Sequence, residues 1–147
     1  MLLLYFLFSF FYYTTSIIKP KIIRTPLYRS IPLIKMHDMV ILENPELNNV
    51  FVVDFSPVED ISKPYVLFRM FTGNNIKGKL RVFYVEKKNI INELGKTQKL
   101  HDLNEIKNYN MDIYNIINNW NTSFNVYNHN CKDFSKYLIK SFNLLKI

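Results

Sequence analysis

"KMHDMVILENPELNNVFVVDFS", residues 35–56, reads as two short strands joined by a turn. "MVIL" and "VFVVDF" are apolar runs rich in β-branched side chains, which pack well on a pleated, half-buried surface. Between them, "ENPELNN" carries Pro45 and the pair Asn48–Asn49, residues that break regular pairing and favour a hairpin-like turn. The two runs are therefore expected as neighbouring antiparallel strands. Two polar side chains interrupt them. His37 opens the first strand, where the backbone would hold an imidazole rigidly. Asp54 breaks the second, and a carboxylate buried in an apolar strand is costly unless a partner such as an imidazole N–H meets it.

Further along, "YVLFRMF" (65–71) and "GKLRVFYV" (78–85) have the same apolar character and flank "TGNNIKG", a loop with two glycines and two asparagines. The reading is four candidate strands in a row. Helical patterns follow. "EKKNIINELG" ends in Gly95, a suitable residue to stop a helix. "DLNEIKNYNMDIYNIINNW" places Leu103, Ile106, Ile113, Ile116, Ile117 and Trp120 at helical spacing behind a possible Asp102 cap. "SFNVY" suits a short strand or turn, and a last helix begins near Asn130. Strands first and helices afterwards predict an α+β fold: an antiparallel sheet of about four to five strands with helices packed on one side.

The chain of 147 residues, 48% of them apolar, suits one domain with a real core. It contains no alanine and is loaded with Ile, Asn, Lys, Tyr and Phe, the mark of an AT-rich coding bias, so the lysine excess carries little weight. The net charge of +7 is scattered and concentrates only in clusters such as "KPKIIR" and "IKGKLR"; no nucleic-acid partner is expected. A single cysteine excludes an internal disulfide and a Cys-pair zinc site, and no cofactor or metal is expected. Residues 1–18, "MLLLYFLFSFFYYTTSII", are uncharged and just long enough to span a bilayer. Lys19, Lys21, Arg24 and Arg29 follow at once, which by the positive-inside tendency leaves the body on the cytosolic side of a membrane anchor. A secreted or organelle-targeted protein that loses this leader is the alternative. Residues 19–35, with Pro20, Pro26 and Pro32, read as a tether, and residues 36–147 as the folded domain.

The one cysteine lies in "VYNHNCKDFSKYLIK", residues 126–140. With Asn130 as N-cap, Cys131 becomes the first helical residue and Asp133 the third, while Phe134, Leu138, Ile139, Phe142 and Leu145 form the buried stripe. A thiol at a helix N-terminus meets the positive end of the macrodipole and unpaired N–H groups, which favour thiolate, the nucleophilic form. The same N–H groups suit an oxyanion formed when a carbonyl is attacked. Of three histidines, His129 is two residues from Cys131 and His101 sits at a helix start. His37 is the candidate base, with Asp54 on the next strand to orient it.

This order, a His strand "HDMVIL", a following strand "FVVDFS" and the Asn-Cys-x-x-Phe helix "HNCKDFSKYLIKSF", resembles the circularly permuted papain-like (NlpC-like) thiol enzymes. That superfamily includes lecithin:retinol acyltransferase, the related small phospholipase/acyltransferases and the desumoylating isopeptidases. The resemblance covers about residues 36–56 and 124–143. It implies Cys131 as nucleophile at the start of the C-terminal helix, His37 as general base and Asp54 as the residue orienting His37. It also implies a cysteine-dependent hydrolase or acyltransferase acting on a protein or lipid acyl substrate. Two positions depart from the family pattern: Asp133, where these families often have His, and Asp54, where His, Asn or Gln is usual. The alternative is a membrane-tethered, non-catalytic binding protein on the same scaffold.

Overall fold

The computed structural model describes residues 18–26, 35–44, 48–90 and 102–145. Five strands, β1 (Lys19–Pro26), β2 (Lys35–Glu43), β3 (Asn49–Pro57), β4 (Ile76–Glu86) and β5 (Ser123–Phe124), form one sheet in the order β1-β2-β3-β4-β5. Every pairing is antiparallel. Helix α1 (Pro64–Phe71) lies between β3 and β4, α2 (Leu103–Tyr109) and α3 (Met111–Asn118) between β4 and β5, and α4 (Cys131–Leu145) at the end. The α+β expectation holds, and the paired strands of residues 35–57 sit at the centre of the sheet.

Alternation along the strands separates two cores. Val40, Leu42, Val53, Phe55 and Val82 share a cluster with Val66 and Met70 of α1, Ile106 of α2, Ile113 and Ile117 of α3, and Phe134, Leu138 and Phe142 of α4. Met39, Ile41, Val50, Val52, Phe83 and Val85 form the second cluster, to which the four helices contribute nothing. Phe55 anchors the first cluster, its ring in contact with Trp120, Phe124 and Phe134. The strand opposite must carry a glycine there: a Cβ on Gly78 would lie 2.5 Å from the Phe55 ring and 2.9 Å from the Thr122 carbonyl.

Three expectations are corrected. "YVLFRMF" is helix, not strand. Pro64 occupies the first turn, where its missing N–H is no loss, and Val66 and Met70 turn inward at i, i+4 while Tyr65, Phe68 and Phe71 stay exposed. Gly73, at φ 81°, stops the helix; its N–H donates to the Met70 carbonyl and that of Asn74 to the Arg69 carbonyl. Residues 19–26, expected within the tether, form β1 at the sheet edge, a position that tolerates the missing donor of Pro20. The single helix expected over 102–120 is two. At φ −155° and ψ 117°, Asn110 breaks the run and caps α3 by accepting from the Ile113 N–H at 3.0 Å.

The Asp102 cap forms as expected, accepting from the Asn104 N–H. Within the α4 stripe Ile139 is half-buried and Leu145 exposed, and Ser135 is buried in their place. The anchor expected at residues 1–18 falls outside the described residues except for Ile18, as do residues 91–95 of "EKKNIINELG" and His101. Among the described residues no helix is long and apolar enough to cross a membrane.

Candidate active site

β2 and β3 pair through Val40–Leu42 and Phe51–Val53. Beyond Val40 each strand keeps its other neighbour, β1 or β4, but among the described residues the two exchange no further register pairs. Side chains meet across this opened end. His37 Nε2 and Asp54 Oδ2 are 2.7 Å apart, with His37 6% exposed and Asp54 completely buried. Asp54 is in turn the direct cross-strand partner of Arg81 on β4. Arg81 Nε donates to Asp54 Oδ1 at 2.7 Å and its Nη2 donates to Oδ2, a two-pronged pairing of guanidinium and carboxylate. The same Nη2 lies 3.5 Å from His37 Nε2.

Cys131 comes to this group from the helical layer. It is the first residue of α4, which packs on β1, β2 and β3, and its side chain hydrogen-bonds the His37 ring. Asp54 engages the ring through Nε2. The helix start is fixed reciprocally. Asn130 Oδ1 accepts from the N–H of Lys132 at 2.9 Å and of Asp133 at 3.4 Å, while Asp133 Oδ2 accepts from the Asn130 N–H at 3.1 Å. Asn130 Nδ2 also donates to the Val126 carbonyl, tying the preceding turn to the cap. Ser135 Oγ donates to the Cys131 carbonyl. Asp133, one of the departures from the family pattern, thus acts in the helix cap.

Electrostatics follow from burial and pairing. Burial alone would push the His37 imidazole down, but hydrogen bonds to Asp54 and Cys131, with their charges, outweigh it and raise His37 from 6.5 to about 9. Burial would raise the Asp54 carboxyl; hydrogen bonds from His37 and Arg81, with both positive charges, instead hold it below its ordinary value. The favoured state at neutral pH is an imidazolium between a carboxylate and the sulfur.

The structure therefore brings Cys131, His37 and Asp54 together. His129 faces elsewhere: Nε2 lies 2.8 Å from the Asn121 carbonyl and its ring stacks on Trp120 at 4.1 Å. Sequence reading missed Arg81. A signal was there, since alternation back from Val85 and Phe83 puts Arg81 in an inward row, as it does Asp54 beside Val52. Asp38, next to His37 and buried, is paired with the exposed Arg24 across β1 at 3.4 Å. Among the described residues no group of three His, Cys, Asp or Glu side chains is placed to hold a metal ion. The chain matches no protein-family model, no curated protein and no solved structure.

Proposed function

We propose that this domain is a cysteine-dependent hydrolase or acyl-transfer enzyme of the permuted papain-like kind, acting on an amide, isopeptide or ester carbonyl. One observation carries the reading: a buried imidazole whose partners are a carboxylate and a thiol at a capped helix start. In this reading the Cys131 sulfur, its proton held by His37, attacks the carbonyl carbon. The carbonyl π-electrons move to oxygen, where the Cys131 backbone N–H stabilises the charge. Collapse expels the leaving amine or alcohol, which takes the proton from His37. A thioester on Cys131 remains. Neutral His37 then takes a proton from water or an acceptor alcohol or amine, which attacks the thioester and releases the acyl product with thiolate and imidazolium restored.

The substrate is a protein or lipid acyl group, presented at a membrane if residues 1–18 anchor the chain with the domain on the cytosolic side. The test is turnover of an activated ester and of a ubiquitin-like carboxy-terminal probe by wild type, Cys131→Ala, His37→Ala and His129→Ala. Activity should vanish in the first two variants and persist in the third. Normal turnover by His37→Ala would assign the base elsewhere and end the papain-like reading. A second reading, a non-catalytic binding protein on the same scaffold, draws on the burial of the thiol, 8% exposed; inert wild-type protein against both probes would favour it.

A further inference from the structure

The proposed chemistry needs one negative and one positive charge, thiolate and imidazolium, yet Asp54 adds a second negative charge in a fully buried position. Four ionisable groups meet here from four elements: Cys131 on α4, His37 on β2, Asp54 on β3 and Arg81 on β4. The other charges near His37 are Asp38 beside it and Arg24 on β1, already paired with each other. With the thiolate and imidazolium of that chemistry, Arg81 brings the sum to zero. Arg81 grips both oxygens of Asp54, so the pair offers His37 a hydrogen-bond acceptor, Oδ2, with little net charge. The guanidinium also fixes the carboxylate plane against β4, which aims Oδ2 at Nε2. The side chain of Arg81 is 27% exposed, so the fork closes the polar group on its solvent side.

From this geometry we infer that Arg81 is a positioning residue of the site: it neutralises and orients Asp54, and thereby sets the pH range over which His37 keeps its proton. The role rests on the reading of Cys131 and His37 as a catalytic pair, but its physical content is separate. Removing Arg81 unmasks the Asp54 charge and should make His37 bind its proton more tightly. Removing the Asp54 charge leaves Arg81 unpaired 3.5 Å from the ring and should make His37 release it sooner. A residue that merely braces the fold would lower stability in either variant without moving the ring in opposite directions.

The experiment is an NMR titration of the His37 ring in the full chain, in wild type, Arg81→Gln, Asp54→Asn and the double variant, with activated-ester turnover followed over the same pH range. Arg81→Gln should shift His37 upward by about one pH unit and Asp54→Asn downward by about two. The double variant, neutral at both positions, should fall between them and nearer wild type than either. The alkaline limb of turnover should move with the ring. An unmoved ring in Arg81→Gln, or shifts of the same sign in both single variants, would overturn the role. If a single variant does not fold, the double variant decides: a His37 titration within about one unit of wild type supports the compensation, and a larger displacement refutes it. The expected shifts in a protein inert toward acyl donors would refute the enzyme and leave the charge compensation standing; an active protein with an unmoved ring would refute the compensation alone.

Discussion

Between Val40–Leu42 and Phe51–Val53, β2 and β3 are joined through the backbone, and the side chains along them are apolar. Toward the start of β2 its backbone pairing with β3 stops, and a contact between an imidazole and a carboxylate joins the two strands instead, the carboxylate gripped by a guanidinium from β4, which remains paired with β3. The paired end is stabilised by area removed from water, which does not depend on pH. The opened end is stabilised by charges that are favourable only while complementary, and it leaves room for a helix terminus to bring a thiol to the ring. A sheet thus gives up regular pairing where polar side chains must face one another at bonding distance, and the apolar end supplies the rigidity.

The comparison is broken most severely at His37. His37→Ala should lower turnover of an activated ester by at least about 10³-fold, since proton transfer to and from the sulfur and the leaving group is lost. In the apolar core under the helices the loss should appear in stability. Phe55→Ala should cost about 3–5 kcal/mol in urea unfolding, because a fully buried ring touching Trp120, Phe124 and Phe134 leaves a cavity. A value near 1 kcal/mol would mean that the helical layer is packed loosely on the sheet.

The pH dependence of stability sharpens the contrast. A histidine raised in the folded state stabilises fully below its unfolded value of 6.5, and that contribution is lost as pH rises through about 9. Asp54, lowered in the folded state, contributes above its unfolded value of 3.8 and loses that contribution as pH falls through its folded value. The urea midpoint should therefore be highest between about 4 and 6.5 and decline toward pH 9, and His37→Ala should flatten the alkaline decline. A wild-type midpoint constant from pH 6 to 9.5 would contradict the charged network.

The smallest effects separate two similar caps. Asn110→Ala and Asn130→Ala should each cost about 1 kcal/mol, as each removes an acceptor for N–H groups at a helix start. Only Asn130→Ala should also slow acylation, because its cap fixes Cys131. Equal acylation by both variants would separate the thiol from the helix terminus.

The central strands, Asp102, the Asn130 cap and the meeting of His37 with Asp54 were legible because each leaves a local mark. Alternation exposes a charge in a buried row, and a cap is a short-range hydrogen bond. Helix α1 was not, since seven residues of apolar and aromatic character fit either period. Pro64 was the cue, because a proline suits a first helical turn and not a central strand. The break at Asn110 hid inside an unbroken apolar period. Arg81 escaped because its partner is 27 residues away, in a register that depends on how β3 meets β4.

The most direct test of the central claim is the mass of the Cys131 peptide after folded protein is briefly exposed to an activated acyl ester and quenched in acid. Wild type should carry one acyl group on Cys131 as a thioester, and His37→Ala should carry none over the same interval. A folded wild-type protein that stays unmodified, with Cys131 acylated only after unfolding, would make the thiol a structural side chain and contradict the account.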